Sequence, residues 1–269
     1  MCRFASFVLT RDQEVWIRDE DSHEVIIDHY KLHADAVDGV RVNILRVELV
    51  PPPEGVDPSD LAAWSYFVDQ DIVPDWHEID PDRSESRSRA ALARRAAREG
   101  WFVSVTVGDG GTATAGYHGT ATAGDGGTAV VGYHGTATAG DRGTATAGDR
   151  GAATAGMFGT ATAGDRGTAT AGDRGVVTVG DYGAATAGDD GEATAGRGGT
   201  ALVGDRGAAT AGDGGVATAG DCGVATAGDG GTLVFRRRAC TVTAVVGEDG
   251  ILPGVSYYMD AAGEIVRAP

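Results

Sequence analysis

An eight-residue unit, read as Gly-Asp-x-Gly-Thr-Ala-Thr-Ala, recurs from Gly108 to Gly231 without a single insertion. Sixteen glycines open successive units, from Gly108 to Gly228, and a second glycine series follows three residues behind, from Gly111 to Gly231. A fixed period of this kind is typical of repeat architectures, in which each unit packs only on its neighbours. The repeat therefore constrains the fold more strongly than any other part of the chain.

Alternation within the unit predicts which side chains face inward. Where alanine is replaced at its two positions, the replacement is a larger aliphatic residue, such as Val131 or Val177, whereas one Thr position holds Glu192. Because an unpaired glutamate is costly to bury, the Thr rows must be exposed and the Ala rows buried. Glycine at the Gly-x-x-Gly turns is expected because it tolerates positive φ and close backbone approach. Two units then form one coil, and residues 108–231 are predicted to form a two-sided β-solenoid of about eight 16-residue coils.

The segment before the repeat predicts an α+β N-terminal domain over residues 1–82. Residues 2–9 and 14–17 have the composition of a hairpin, and Ser22–Leu32 has helical periodicity. Residues 40–50 read as a strand, and the aromatic and acidic residues of 60–76 are expected to form core and an acidic loop.

Two capping elements are predicted at the ends of the repeat. Residues 83–107 read as a capping helix and first strand, with a capping box at Asp82-Arg-Ser-Glu85 and a stop at Gly100. Residues 232–269 regain large apolar side chains and read as a β C-terminal cap, with hairpin turns at Asp249-Gly250 and Ala262-Gly263. Caps of this kind protect the strand edges that a solenoid exposes at its ends. The predicted fold class is mainly β.

Composition and charge exclude several functions. The net charge is -17, and acids outnumber bases in both long parts of the chain, so we expect no nucleic acid partner. No apolar run is long enough for a signal peptide or a membrane span, so we expect no membrane partner. Three cysteines predict neither a disulfide framework nor a zinc knuckle. We expect a cytoplasmic protein, with phage encoding or non-classical export as alternatives.

Two resemblances extend this interpretation. The units at 116–124 and 132–140, Gly-Tyr-His-Gly-Thr-Ala-Thr-Ala-Gly, resemble the octapeptide halves of the repeats of bacterial ice-nucleation proteins, which carry Ala-Gly-Tyr-Gly-Ser-Thr-x-Thr. That resemblance implies a solenoid with a tyrosine ladder. The start Met-Cys-Arg-Phe, Asp21-Ser-His23, and the segments 68–76 and 247–251 look like the ends of uncharacterised bacterial and phage repeat proteins. This second resemblance implies an arrangement of segments and no known chemistry.

Outward Thr-x-Thr pairs are the feature that ice-binding solenoids present, with spacings of about 7 Å along a strand and about 4.8 Å between coils. Complete Thr pairs occur in six of the sixteen units, all in the first half of the repeat. The simpler interpretation is that Thr is a good exposed strand residue. The residues of this alternative ice-binding face are Thr112, Thr114, Thr144, Thr146, Thr160 and Thr162 on one sheet and Thr120, Thr122, Thr136, Thr138, Thr168 and Thr170 on the other.

Aspartate occupies the second position of twelve turns. Stacked carboxylates about 4.8 Å apart repel, which favours a Ca²⁺ ion between them. Five arginines that directly follow these acids can offset the same charge: Arg142, Arg150, Arg166, Arg174 and Arg206. We therefore expect turn-forming aspartates and no cofactor, with Ca²⁺ as the alternative. The aspartates are Asp109, Asp125, Asp141, Asp173, Asp189, Asp205 and Asp221 on one edge, and Asp149, Asp165, Asp181, Asp213 and Asp229 on the other.

Tyr117 and Tyr133, like His118 and His134, are 16 residues apart and should stack in adjacent coils on one edge. Such a ladder predicts either local packing or an oligomer contact with a second copy of the chain.

Catalytic candidates lie only in the N-terminal segment. Cys2 would be an N-terminal nucleophile after Met removal, but nothing around it predicts an oxyanion site, and a core role is the simpler interpretation. His29 and His33 are four residues apart and could bind a metal with His23 or Asp28, although no catalytic signature is present. A further hypothesis is a partner-binding loop, which would use Asp69, Asp71, Asp75 and Glu78.

The sequence thus favours a non-enzymatic structural or protein-interaction module. Its partner would be a protein, including a second copy of itself. An ice-binding protein is the main alternative, and an enzyme that uses Cys2 is a weaker one.

Overall fold

The computed structural model of the chain describes residues 5–17, 22–32, 43–53, 56–237 and 240–269. The chain divides into two compact units, Met1–Glu99 and Gly100–Pro269. This boundary lies inside the predicted segment 83–107, so the helix and the strand of that segment belong to different units.

The first unit contains a four-stranded antiparallel sheet. Its strands are β1 (Ala5–Leu9), β2 (Glu14–Val15), β3 (Leu45–Val50) and β4 (Ser65–Val68), in the order β2-β1-β3-β4. The predicted hairpin is confirmed, because Val8 lies opposite Val15. Every residue of β1 is buried, whereas β3 alternates between buried and half-buried residues. Trp64 completes this core, but Phe67 is 51% exposed, so the aromatic segment 60–76 is only partly core.

The described residues of this unit form three α-helices, and a side chain caps the start of two of them. They are α1 (His23–His29), α2 (Asp75–Ile79) and α3 (Pro81–Glu99), and a single 3₁₀ turn spans Leu61–Ala63. The Ser22 hydroxyl caps α1 by accepting the Val25 N–H, and the helix is shorter than the predicted Ser22–Leu32.

The predicted capping box at the start of α3 is wrong. The Asp80 carboxylate accepts the Arg83 N–H at 2.9 Å, and Pro81 occupies the first helical position, where its missing N–H costs nothing. The cap therefore lies two residues before Asp82. Gly100, with φ +66°, ends the helix as predicted.

Arginines attach α3 to the sheet. Arg87 pairs with Glu14 and donates to the backbone carbonyls of Thr10, Arg11 and Gln13, which fixes the turn between β1 and β2. This use of arginine explains why a helix with so little large apolar surface still packs on the sheet.

The second unit is a β-solenoid made of two ten-stranded sheets, which we call sheet A and sheet B. Successive strands of the repeat alternate between them, and sheet A contains the strand of the first octapeptide. Its parallel strands are β6 (Thr112–Ala115), β8 (Thr128–Val131), β10 (Thr144–Ala147), β12 (Thr160–Ala163), β14 (Val176–Val179), β16 (Glu192–Ala195), β18 (Ala208–Ala211) and β20 (Val224–Ala227).

Sheet B takes the strands between them. Its parallel strands are β5 (Ser104–Thr106), β7 (Thr120–Ala123), β9 (Thr136–Ala139), β11 (Ala152–Ala155), β13 (Thr168–Ala171), β15 (Ala184–Ala187), β17 (Thr200–Val203), β19 (Val216–Ala219) and β21 (Thr232–Arg237). Neighbouring strands pair in a 16-residue register, as in Thr144 opposite Thr160. The predicted two-sided solenoid of about eight coils is confirmed.

The solenoid core consists mainly of alanine. Both inward rows are buried throughout, and Ala145 and Ala161 have no exposed surface. Larger residues enter only as valines until Leu233 and Phe235, at the C-terminal end of the core. Because alanine fills little volume, the backbone ladders between coils must supply much of the stability.

Each turn carries a positive φ at its third residue, and the expectation that the framing glycines would adopt positive φ is wrong. Arg142 has φ 57° and His118 has φ 51° at this position. Glycine occupies it in only a few turns, such as the turn that contains Gly126. The framing glycines are required by close approach. A Cβ on Gly143 would lie 2.7 Å from the Ala139 Cβ and 2.9 Å from the Gly140 carbonyl oxygen.

The C-terminal segment ends both sheets with antiparallel strands. β22 (Cys240–Val245) pairs with β21, and β23 (Ser256–Met259) pairs with β20 and with β24 (Ile265–Arg267). The hairpin at Ala262-Gly263 is confirmed. The predicted hairpin at Asp249-Gly250 is wrong, because this turn joins β22 in one sheet to β23 in the other.

Candidate functional site

Side chains of the second unit repeat in columns, because residues 16 apart lie in adjacent coils. One such pair of columns begins with six aromatic or imidazole rings: Trp101, Phe102, Tyr117, His118, Tyr133 and His134. We call these six residues the aromatic edge. The same columns continue with Asp149 and Arg150 in the next coil, and one more ring, Tyr182, occurs in them three coils beyond His134.

Stacking in the aromatic edge is nearly parallel. The Tyr117 and Tyr133 rings are 5.8 Å apart with an interplanar angle of 1°, and the His118 and His134 rings are 4.8 Å apart at 8°. Trp101 lies 5.3 Å from Tyr117 and adds a third level. The predicted stacking of the two tyrosines and the two histidines is confirmed; an oligomer contact there stays a prediction.

The backbone imposes this stacking. His118 and His134 both have positive φ, and the His118 N–H donates to the Tyr133 carbonyl in the next coil at 2.9 Å. The Phe102 N–H donates to Tyr117 in the same way, so the ladder begins before the first repeat unit. Sequence reasoning missed Trp101 and Phe102, although each lies 16 residues before a ring of the ladder.

The turn aspartates bind the next coil. In ten of the twelve, one carboxylate oxygen accepts the backbone N–H of the residue 16 positions later, as in Asp189 to Asp205 at 2.8 Å. The glycine before that N–H lies against the carboxylate, so a Cβ there would collide with it. Ten aspartates make this bond: Asp109, Asp125, Asp141, Asp149, Asp165, Asp173, Asp181, Asp189, Asp205 and Asp213.

Arginines of the turns pair with carboxylates one coil earlier. Arg206 makes two hydrogen bonds to Asp190, at 2.7 and 2.8 Å, and Arg197 does the same to Asp181. The hydrogen bond from Arg206 lowers the pKa of Asp190, and that from Arg197 lowers the pKa of Asp181. Because these carboxylates are exposed, each pair contributes little to stability.

Other arginines of the predicted set contact aromatic rings. Arg142 and Arg174 lie over the Phe158 ring at 5.8 and 5.4 Å, and Arg166 lies over the Tyr182 ring at 5.9 Å. Arg174 also approaches Asp190 at 3.8 Å. Charge is thus offset between coils rather than between adjacent residues.

The Thr rows face outward on both sheets. In sheet A, Thr112, Thr128, Thr144 and Thr160 are paired in register over four consecutive coils. The second row of the same coils is interrupted only by Val130. In sheet B, Ser104 and Thr106 of β5 lie in register with Thr120 and Thr122. The same two rows continue in the next coil with Thr136 and Thr138.

Several of the N-terminal candidates are exposed or lie outside the described residues. Cys2 and His33 lie outside the described residues, and His29 is exposed, with its ring against Tyr30. Of the acids in the proposed loop, Asp71, Asp75 and Glu78 are exposed.

His23 differs from these candidates because it is buried. Its Nδ1 lies 3.1 Å from an Asp69 carboxylate oxygen, and its Nε2 lies 3.1 Å from the Val47 carbonyl oxygen. Within the described part of the chain, His23, Glu48 and Asp69 are the one group of three metal-ligating residues whose ligand atoms are all within 4.8 Å. Sequence reasoning grouped His23 with His29 and His33 and missed Glu48 and Asp69, which meet His23 only through the sheet.

None of the described helices has both the length and the apolar composition needed to cross a lipid bilayer.

Comparison with known proteins gives no relative: no family model matches the chain, and neither a curated protein nor a solved structure is similar enough to count as a match. The function must therefore be argued from the chain itself.

Proposed function

We propose that the chain is a non-enzymatic structural and protein-interaction module, in which the solenoid is a rigid support and the aromatic edge binds a second copy of the chain. The aromatic edge carries this proposal. Six rings at three consecutive levels are an unusual use of these turn positions, most of which hold aspartate, arginine or glycine farther along the solenoid.

The way the repeat uses its polar groups supports a structural role. Ten of the turn carboxylates accept a backbone N–H from the next coil, and Asp190 is held by Arg206. These groups fix the spacing of the coils, and buried alanine rows form the interior between the two sheets. A support of this kind presents its surface residues at fixed intervals.

The composition of the aromatic edge suits a protein contact. Tyrosine and tryptophan are enriched at interfaces, because they bury a large area and lose little side-chain entropy on binding. Tyr117, His118 and His134 are half-buried, so their neighbours already order them while part of each ring is still exposed, whereas Tyr133 is 7% exposed and offers little contact area. Ordered side chains lower the entropic cost of association.

Light scattering coupled to size exclusion tests the proposal on the full chain over a range of concentrations. We expect a concentration-dependent dimer, weakened at least tenfold by Tyr117→Arg. Tyr182→Arg is the matched control, because Tyr182 is a 66% exposed ring in a turn farther along the solenoid. If the chain stays monomeric, or if both variants weaken the dimer equally, the aromatic edge is not the contact. A fall in thermal stability without a change in mass would assign the ladder to local packing.

The second candidate is an ice-binding protein, and the in-register Thr row over four coils of sheet A favours it. Thr144 and Thr146 stand opposite Thr160 and Thr162 on adjacent strands, which gives a regular two-dimensional array of hydroxyl and methyl groups. Val176 follows Thr160 in the same sheet and ends this regularity, and Glu192 lies in the next coil. Purified protein that shows neither thermal hysteresis nor ice shaping would exclude this candidate.

A further inference from the structure

We propose that His23, Glu48 and Asp69 form a binding site for a divalent zinc-like ion in the first unit. The site would bring together the first residue of α1, the middle of β3 and the residue that follows β4. It is independent of the solenoid and of the aromatic edge.

The hydrogen bond to Val47 prepares His23 for metal binding. The Val47 carbonyl oxygen can only accept a hydrogen bond, so the His23 Nε2 must carry the hydrogen. In the neutral imidazole the ring lone pair is then on Nδ1. Metal-ligating histidines commonly donate their other ring N–H to a backbone carbonyl, which fixes the tautomer and the ring orientation. His23 is 4% exposed, so packing also holds the ring in place.

Nδ1 faces a second acceptor. The Asp69 carboxylate oxygen lies 3.1 Å from it, and two acceptors at this distance need either a shared proton or a cation between them. A shared proton gives a His23–Asp69 ion pair, and a metal ion gives the proposed site. Glu48 favours the ion, because a second carboxylate within 4.8 Å supplies a third ligand of the right chemistry.

The distances suit a tetrahedral ion. Ligand bonds of about 2.0–2.2 Å place neighbouring ligand atoms roughly 3.3–3.6 Å apart in a tetrahedron. The His23–Asp69 separation is near this value, whereas Glu48 must turn toward the ion and give up an existing interaction. Two carboxylates balance the charge of the ion. Asp69 is 58% exposed, which leaves a path for entry and room for a water molecule as the fourth ligand.

One neighbouring ion pair lies outside the proposed ligand set. Arg46 pairs with Glu24 at 3.4 Å. Arg46 is thus held by Glu24, a carboxylate outside the proposed ligand set.

Calorimetric titration of the full chain with ZnCl₂ tests this site, with CaCl₂ and MgCl₂ as comparison ions. We expect one zinc ion per chain, much weaker binding of the two hard ions, and a higher thermal midpoint of unfolding with zinc. His23→Gln should weaken zinc binding at least tenfold. His29→Gln is the matched control and should leave binding unchanged, because that exposed histidine belongs to the same helix.

Asp69→Asn provides a second variant, since Asp69 is on the surface and its replacement keeps the shape of the side chain. Circular dichroism of both variants without metal checks that they fold. The proposal fails if zinc neither binds nor raises the thermal midpoint, which would assign the His23–Asp69 contact to an ion pair. It also fails if folded Asp69→Asn binds zinc as tightly as the original chain.

Discussion

The second residue of each solenoid turn decides how one coil is attached to the next. An aspartate there has the length to reach the N–H of the following coil, and the glycine before that N–H leaves room for the carboxylate. The aspartate and the first glycine of the following turn therefore act together, and the frequency of Asp reflects hydrogen bonding between coils.

Asp189 allows this bond to be measured. Asp189→Ala leaves the Asp205 N–H without its acceptor, and we expect a loss of about 0.5–1.5 kcal/mol in the free energy of unfolding. Asp189→Asn keeps an acceptor oxygen and should stay within roughly 0.5 kcal/mol of the original chain. Urea unfolding followed by circular dichroism gives both values. Equal stability of the two variants would show that the hydrogen bond to the Asp205 N–H contributes nothing measurable.

The Asp190–Arg206 pair predicts a dependence on pH. Because Arg206 lowers the pKa of Asp190 in the folded protein, the pair stabilises the fold above the ordinary aspartate pKa of about 3.9. This contribution disappears as the pH falls through the lowered pKa. We expect Arg206→Gln to raise the titration midpoint of Asp190, although Arg174 at 3.8 Å retains part of the shift.

Carboxyl NMR titration measures that midpoint. Arg142→Gln is the control, because Arg142 lies over the Phe158 ring. The prediction is wrong if Asp190 titrates at the same pH in the original chain and in Arg206→Gln.

At the scale of the elements, the solenoid was predictable because the repeat has a constant length and buried and exposed residues alternate within each unit. Ala145 and Thr146 alternate in a strand whose register is fixed by the 16-residue repeat, so burial follows directly from position. Features outside the period were harder to predict. Pro81 moved the cap of α3 to Asp80, and the Asp249-Gly250 turn joins two sheets although its sequence is typical of a hairpin.

Contacts distant in sequence explain the remaining misses in the candidate sites. His23 meets Asp69 across 46 residues, and nothing in the local pattern of either segment specifies that pairing. The aromatic edge was predictable in part, because its rings obey the repeat, yet Trp101 and Phe102 precede the first unit and carry no repeat signature of their own.

The C-terminal strands protect the edges of both sheets. β22 covers β21, and β23 covers β20, with Tyr257 and Phe235 closing the alanine core. A chain that ends at Arg237 would expose two strand edges, and we expect it to self-associate. A chain that ends at Met259 loses only β24 and should associate much less. Light scattering at equal concentrations compares them, and equal masses would contradict a protective role.

For the whole molecule, the solenoid is close to one-dimensional, because each coil contacts mainly the coils before and after it. Removal of residues 160–175 joins Gly159 to Val176 and keeps both the register and the aspartate columns. We expect this shortened chain to fold with a thermal midpoint only a few degrees lower, since solenoid stability is approximately a sum over repeats and their interfaces.

Removal of one more residue supplies the control. Deletion of 160–176 joins Gly159 to Val177, which moves Val177 outward and turns Thr178 into the alanine core. Burial of an unpaired hydroxyl costs about 1–3 kcal/mol, and the strand also loses a residue from its ladder. Thermal unfolding followed by circular dichroism should therefore separate the two deletions clearly. If the shorter deletion unfolds the chain as thoroughly as the longer one, the coils are not independent units and stability depends on contacts beyond nearest neighbours.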